Sequence, residues 1–197
     1  MILTKKEKRV LRFLATTSRD FSINDLAKAC MLAPSGAHKI LKKLEKESVV
    51  KAKNIANLVS YKLDFKGNST ESVLHIAFVP EELEGRIKLR AQDLKLLKDS
   101  TQACILFGSY ITAKEKPGDL DLLFILEKKN FKAYKQSLAK AKDLIPIKTQ
   151  EVIQTREDVE QNLKKCDPVI VGILRDGIVL WGFDVLVQVI KDVQTNT

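Results

Sequence analysis

The first part of the chain carries apolar residues at helical spacing in two short stretches. Val10, Leu11 and Leu14 recur three and four residues apart behind Thr4, so the pattern predicts an amphipathic helix that begins near Thr4. Ser22 stands directly before "INDLAKAC" and can cap a second short helix there. Each helix has one apolar stripe and must bury it against a neighbouring element.

A third amphipathic helix is predicted after Pro34. Its apolar residues lie at positions i, i+3, i+4 and i+7, namely Ala37, Ile40, Leu41 and Leu44. Its free face is basic and carries His38, Lys39, Lys42, Lys43 and Lys46. The runs "VVKAK" and "LVSYKLD" then flank "NIAN", which predicts a β-hairpin with an Asn-rich turn.

The later part of the chain mixes strand patterns with helix patterns. The polar stretch 64–71 is typical of a linker, and "SVLHIAFVP" fits a helix or a strand. A helix is expected from Pro80, with Leu83, Ile87, Leu94 and Leu97 on its inner face. The short runs "ACILF", "DLDLLFIL" and "TQEVIQT" predict strands, and Thr155 with Asp158 predicts a capping box for the helix that follows.

Charge is distributed unevenly along the 197 residues. Residues 1–66 contain 15 Lys and Arg against 6 Asp and Glu, so this segment holds the whole net charge of +9. Residues 67–197 contain 19 of each sign. A basic block joined to a neutral one predicts two domains, the first with a polyanionic partner.

The composition argues against a membrane protein, a disulfide-stapled protein and a zinc protein. No apolar run approaches the roughly 20 residues that span a bilayer, and the start does not resemble a signal peptide, so we expect a cytoplasmic protein. Cys30, Cys104 and Cys166 are odd in number and widely spaced, which indicates reduced thiols. With only His38 and His75 and no CxxC pair, a zinc site is not expected.

The stretch "ILFGSYITAKEKPGDLDLLFIL" holds the candidate chemistry. Gly108 and Ser109 end the first strand run, and their backbone N–H groups and hydroxyl can contact an anion. Asp119 and Asp121 are two residues apart, so on a strand they project from one face. Their mutual repulsion is relieved by a divalent cation with oxygen ligands.

Residues 3–65 resemble the winged helix-turn-helix DNA-binding domain. In that family the third helix enters the major groove and the wing reaches phosphates or a neighbouring groove. The resemblance implies that Ser35, Gly36, His38 and Lys39 face bases, and that phosphates are held by Lys42, Lys43, Lys51 and Lys53. Glu47 and Ser48 stand where a Gly usually joins helix and wing. The implied partner is double-stranded DNA, and such domains commonly dimerise.

The Gly-Ser turn, nine intervening residues and the Asp-x-Asp strand resemble the nucleotidyltransferase fold of DNA polymerase beta, especially its minimal members. The resemblance covers roughly residues 85–185. It implies that Asp119, Asp121 and a third carboxylate, Glu151, hold Mg²⁺ or Mn²⁺ as catalytic and metal-binding residues. Gly108 and Ser109 would bind a nucleoside triphosphate, expected to be ATP. Lys114 and Lys116 could add phosphate contacts or stay in solvent.

The expected fold class is α+β, with a winged helix-turn-helix domain over residues 1–66, a connecting segment over 67–84 and a small mixed-sheet nucleotidyltransferase-like domain over 85–197. The leading function is metal-dependent transfer of a nucleoside monophosphate to an unknown acceptor. The alternatives are a transcription regulator that binds nucleotide or a partner without catalysis, and an antitoxin-type regulator that modifies a protein. The neutral second domain favours regulation over a nucleic acid acceptor at the site, so a protein or small-molecule acceptor is at least as plausible as RNA or DNA.

Overall fold

The computed structural model describes residues 2–17, 19–55, 58–67, 69–112 and 117–195. The chain is an α+β protein, and its elements form two groups along the sequence. The first group is α1 (Lys5–Thr16), α2 (Ile23–Ala29), α3 (Pro34–Lys46), β1 (Val50–Ile55), β2 (Leu58–Leu63), α4 (Thr70–Phe78) and α5 (Gly85–Asp93). The second group is β3 (Ala103–Phe107), α6 (Ser109–Thr112), β4 (Asp119–Ile125), α7 (Phe131–Leu144), β5 (Lys148–Gln154), α8 (Arg156–Lys164), α9 (Pro168–Asp176), β6 (Ile178–Trp181) and α10 (Phe183–Thr195). Two 3₁₀ segments, Leu94–Ser100 and Lys128–Asn130, precede β3 and α7.

Three helices begin at the capping residues that the sequence indicates. Thr4, Ser22 and Thr155 each accept a hydrogen bond from the backbone N–H three residues on. Those N–H groups belong to Glu7, Asp25 and Asp158. The carboxylate of each of these residues accepts a hydrogen bond from the backbone N–H of the capping residue. These reciprocal bonds satisfy backbone donors that the first turn of a helix leaves unpaired. The predicted starts of α1, α2 and α8 are therefore confirmed.

The first three helices pack against a two-stranded antiparallel hairpin formed by β1 and β2. Most of their predicted apolar residues are buried, including Val10, Leu11, Leu41 and Leu44, and Ile40 is half-buried. Ser48, between α3 and β1, has a φ of 57°, the left-handed conformation that a Gly would adopt most easily. The predicted Asn-rich turn of the hairpin lies partly outside the described residues.

The second half is built on a four-stranded sheet of order β5-β4-β3-β6. β3 is antiparallel to both of its neighbours, whereas β4 and β5 are parallel and joined by α7. We call the two sides of this sheet face A and face B. Face A packs against α8, α9 and α10, through residues such as Val159, Ile173 and Leu186. Face B packs against α7 and the 3₁₀ segment that follows α5, through residues such as Tyr134 and Leu94.

The segment predicted as a connector, 67–84, contains the well-packed helix α4. Its side chains Leu74 and Phe78 are fully buried, and α4 lies between α1 and α10. One continuous apolar cluster runs from the first three helices through α4 to face A of the sheet. The two halves of the chain are therefore joined by a shared core.

The helix expected from Pro80 begins five residues later, at Gly85, and changes to a 3₁₀ helix at Leu94. Gly85 has a φ of 48°, which is incompatible with a continuous right-handed helix from Pro80. As a result Leu83 lies before the helix, whereas Leu94 and Leu97 are fully buried as predicted. The three cysteines are free, as expected, and no helix among the described residues is long and apolar enough to cross a membrane.

The guanidinium of Arg12 joins the two halves of the molecule. It donates hydrogen bonds to four carbonyl oxygens: Ala77 (3.1 Å) and Phe78 (3.2 Å) at the end of α4, and Arg175 (3.3 Å) and Gly177 (2.7 Å) at the end of α9. It also lies 5.0 Å from the centre of the Phe78 ring. The last carbonyls of a helix lack partners within the helix and attract cations, so Arg12 satisfies two helix ends at once.

The environment of Arg12 makes this interaction sensitive to substitution. Burial lowers the pKa of Arg12 to about 10, while the nearby Asp176 carboxylate raises it, so the side chain is still charged at neutral pH. The planar guanidinium has five N–H donors and can bond to four carbonyls, whereas a Lys ammonium has only three N–H donors. Removal of the guanidinium would leave several of these carbonyls without a partner.

We predict that Arg12→Ala lowers the free energy of unfolding by about 3 kcal/mol, because bonds to a charged donor are lost and carbonyl groups are left unpaired. Arg12→Lys should recover only part of this loss. Lys6→Ala, at an exposed position of the same helix, is the matched control and should change stability by less than about 0.5 kcal/mol. Urea unfolding measures all three, and equal effects of Arg12→Ala and Lys6→Ala would contradict the assignment.

Candidate functional site

The paired carboxylates open β4 at one end of face A. Asp119 and Asp121 have the same strand parity as Leu123 and Ile125, which belong to the face A core. Both carboxylates are half-buried. The sheet is covered further along β4, so the start of the strand leaves the pair accessible from one side. The structure therefore brings Asp119 and Asp121 to the same face, as the strand period predicts.

Gly108 lies directly against Asp121. In the β3–β4 register Phe107 is opposite Asp121, so the Gly-Ser turn follows at once. Gly108 has a φ of 72°, and a β-carbon at this position would overlap the Asp121 carboxylate. Only glycine allows both this backbone conformation and this approach. Ser109 is exposed and begins α6, which has only four residues.

The two carboxylates repel each other. The pKa of Asp121 is raised, first by burial and second by the negative charge of Asp119. A raised pKa means that folding disfavours the ionised form, so at neutral pH the charged Asp121 destabilises the folded state. Sites that store such unfavourable charge are often binding or catalytic sites.

Two residues of β5 lie beside the pair, and the sequence analysis missed them. The parallel register places Lys148 opposite Asp119 and Gln150 opposite Asp121. The Gln150 side-chain amide donates a hydrogen bond to a carboxylate oxygen of Asp119, and Lys148 is exposed. Only the pairing register of β4 and β5 identifies these neighbours, so a single strand pattern could not have revealed them.

The structure does not bring Glu151 to the carboxylate pair. Glu151 is opposite Leu122, a face B residue, and therefore projects from the other side of the sheet. There it forms an ion pair with Lys142 of α7 (2.8 Å) and accepts a hydrogen bond from Thr149. The expected set of three carboxylates is corrected to a pair plus the neutral amide of Gln150. The physical reason is the two-residue period of the strand, which sends adjacent residues to opposite faces.

The donors at the site match the preferences of a hard divalent cation. The two carboxylates supply oxygen ligands of the kind that Mg²⁺ and Mn²⁺ bind, whereas the Gln150 amide donates its N–H to Asp119. Among the described residues no cluster of three or more His, Cys, Asp and Glu side chains is found that could hold a metal. A cation at Asp119 and Asp121 would therefore complete its coordination with water or substrate oxygens.

The predicted DNA-contacting residues lie on the exposed side of α3 and on the hairpin. Ser35, His38, Lys39 and Lys42 are exposed, and Gly36 is half-buried. Lys42 pairs with Glu45 on its own helix (2.8 Å). At helical spacing, Ser35, Lys39, Lys42 and Lys46 form one stripe opposite the buried side chains. The structure thus places three of the eight predicted DNA-contacting residues, Ser35, Lys39 and Lys42, on one exposed stripe of α3.

Lys43 differs from the other lysines of α3. It donates to Glu7 of α1 at 2.8 Å, and the Glu7 side chain is 7% exposed. Hydrogen bonds from Lys43 and from Thr4 lower the pKa of Glu7, although burial acts in the opposite direction and is the largest single effect. Lys43 therefore links α3 to α1, a structural contact that the sequence analysis did not predict.

The hairpin lysines are exposed and close to acids. Lys51 lies 3.6 Å from Asp64 and Lys53 lies 3.2 Å from Asp20. Such exposed pairs contribute little to stability. Lys114 and Lys116, the loop lysines near the Gly-Ser turn, lie outside the described residues.

Comparison with protein families places part of the chain beside a family of unknown function. The sequence profile of a family of unknown function (DUF6932) matches residues 80–176, slightly less than half of the chain. This range includes the Gly-Ser turn, the carboxylate pair and β5. No curated protein and no solved structure matches the chain significantly.

Proposed function

We propose that the chain is a DNA-binding protein whose second half binds a nucleoside triphosphate with a divalent cation and transfers the nucleoside monophosphate to an acceptor. The observation that carries this proposal is the contact between Gly108 and Asp121. In this contact, a turn whose backbone N–H groups can bind a phosphate lies against a carboxylate whose charge a cation would balance. The nucleotidyltransferase resemblance and the winged-helix resemblance support the same assignment.

Each part of the site has a chemical role in the proposal. Asp119 and Asp121 would hold the cation, which supplies positive charge for the triphosphate. The backbone at Gly108 and the hydroxyl of Ser109 would position the terminal phosphates. Lys148, opposite Asp119, would contact a phosphate or the acceptor from β5.

The bond changes in the proposed transfer are those of a displacement at phosphorus. A bond forms between an acceptor oxygen and the α-phosphorus, and the bond from that phosphorus to its bridging oxygen breaks. Pyrophosphate leaves with the electron pair, and the proton of the acceptor hydroxyl passes to solvent. The described residues contribute orientation and charge, the main requirements of phosphoryl chemistry.

A second candidate, nucleotide sensing without turnover, is favoured by one specific observation. Gln150 occupies the β5 position beside Asp121, and the only nearby acid of that strand, Glu151, projects from the other face. A neutral amide balances less positive charge than a third carboxylate does. In this case the nucleotide would act as a signal for the DNA-binding half.

We predict that label from an α-³²P nucleoside triphosphate is transferred to a component of cell extract in the presence of Mg²⁺. Asp121→Asn should reduce transfer by at least about 100-fold, because the cation loses a charged ligand. Glu151→Gln is the matched control, since it neutralises a carboxylate on the opposite face of the same sheet.

The two variants separate the possible outcomes. Transfer that survives Glu151→Gln and is lost in Asp121→Asn supports the proposed site. Equal loss in both variants would contradict it. Nucleotide binding that depends on Asp121, without transfer from any triphosphate, would favour the sensor.

For the first half of the chain, we predict that the double variant Lys39→Ala, Lys42→Ala binds duplex DNA roughly tenfold more weakly. The slope of log K against the logarithm of the salt concentration should fall by about one to two, because one or two phosphate contacts are lost. Lys6→Ala with Lys66→Ala removes the same charge at exposed positions outside α3 and should have a smaller effect. Fluorescence anisotropy over a salt series measures both. Point variants are used because deletion of the first 65 residues would expose the shared core.

A further inference from the structure

The second half of the chain has no net charge, but its charges are segregated in space. We define the basic layer as residues 85–100 and 127–147, which comprise α5, α7 and the 3₁₀ segments beside them. The basic layer contains 11 Lys and Arg against 4 Asp and Glu, a net charge of +7. The remainder of residues 67–197 has 8 against 15, a net charge of −7.

All parts of the basic layer pack on face B of the sheet. Ile87 of α5, Leu94 and Leu97 of the 3₁₀ segment, and Tyr134 and Leu138 of α7 share one apolar cluster with face B strand residues. α7 and the 3₁₀ segment contact each other extensively. The positive charge therefore accumulates on one side of the sheet, while α8 and α10, each with a net charge of −1, cover the other.

Ion pairs involve only a minority of the 11 cations in the basic layer. Three of them form ion pairs with acids: Arg90 with Asp93, Lys129 with Glu127, and Lys142 with Glu151. Seven exposed lysines form no ion pair with any carboxylate in the described part of the chain. These are Lys88, Lys95, Lys98, Lys128, Lys132, Lys135 and Lys140.

The chemistry of the basic layer favours nucleic acid over a membrane. A helix that binds a membrane surface must present its apolar face to lipid, but the apolar face of α7 is already buried against the sheet through Tyr134, Leu138 and Ala141. The exposed residues of α7 include four lysines and two large apolar side chains, Phe131 and Leu144, which are separated along the helix and form no continuous apolar face. One aromatic ring, Phe131, is 43% exposed with Lys135 above it at 5.1 Å, and bases can stack on such a ring.

The basic layer also reaches the end of the sheet that carries the carboxylate pair. Because β4 and β5 are parallel, α7 must return from the end of β4 to the start of β5, so Lys140 and Lys142 lie near the start of both strands. At the same end, Arg86 of α5 lies 5.2 Å from the centre of the Tyr110 ring. Tyr110 follows Ser109 directly in the chain.

We propose that the basic layer is a second nucleic-acid-binding surface, which holds the phosphate backbone of a strand along α7 and leads it toward Asp119 and Asp121. Nucleic acid then becomes the acceptor class for the site, contrary to the expectation from the neutral total charge. Only this last assignment rests on the proposed function, because the binding surface exists whether or not transfer occurs.

The test uses the full chain with Lys39→Ala and Lys42→Ala, so that binding by α3 is weakened. In this background Lys132→Ala with Lys140→Ala removes two charges from the basic layer. Lys164→Ala with Lys165→Ala removes two exposed charges on the opposite side of the sheet. Binding of fluorescein-labelled single-stranded and duplex oligonucleotides is measured over a salt series, and unfolding temperatures verify that all variants are folded.

We expect the basic-layer pair to weaken oligonucleotide binding roughly tenfold and to lower the salt slope by about one to two, whereas the control pair changes neither. Equal losses in both pairs, or no loss in either, would overturn the proposal. Binding to vesicles of acidic phospholipid that depends on Lys132 and Lys140, without oligonucleotide binding, would overturn it in favour of a membrane surface. These outcomes do not depend on nucleotidyl transfer.

Discussion

The arrangement of the molecule depends on the burial of one charged side chain, Arg12, between two helix ends. Its guanidinium bonds to carbonyls of α4 and α9, so a residue of the first helix completes the hydrogen bonding of the second half. A second arginine, Arg175 of α9, contacts α1 in turn: its guanidinium lies 5.0 Å from the centre of the Phe13 ring. Gln194 of α10 adds a bond to the Leu14 carbonyl (2.7 Å). The orientation of the basic first half relative to the sheet follows from these contacts.

This joint explains why the candidate surfaces have fixed relative positions. α9 contacts β3, and β3 ends at the Gly-Ser turn. α1 thus packs on α9, α9 packs on β3, and β3 ends directly before Gly108. The first half packs on face A and the basic layer packs on face B of the same sheet. A nucleic acid could therefore engage more than one of the three surfaces: the exposed stripe of α3, the carboxylate pair and the basic layer. Two linked contacts of moderate strength can give tight binding overall.

Much of this structure could be predicted from the sequence, because several elements have strong local signals. The capping boxes at Thr4 and Thr155 and the strand period of Asp119 and Asp121 depend only on nearby residues. The side of β5 that Glu151 occupies depends on strand pairing, which the pattern of one strand does not determine. The separation of charge in the second half was hidden for a similar reason, since a sum over residues ignores which face of the sheet each helix covers.

The central claim is that Asp119 and Asp121 form a cation and nucleotide site, and unfolding temperatures of the wild type and Asp119→Asn test it most directly. Burial and the charge of Asp119 raise the pKa of Asp121, so the repulsion is present at neutral pH and is lost as the pH falls through the pKa of Asp121 and that carboxylate takes up a proton. Without metal, Asp119→Asn should therefore be the more stable protein at pH 7 but not at low pH. Addition of Mg²⁺ and a nucleoside triphosphate should raise the unfolding temperature of the wild type above that of the variant. A variant that stays more stable with both ligands present, or that gains as much from them as the wild type does, would contradict the claim.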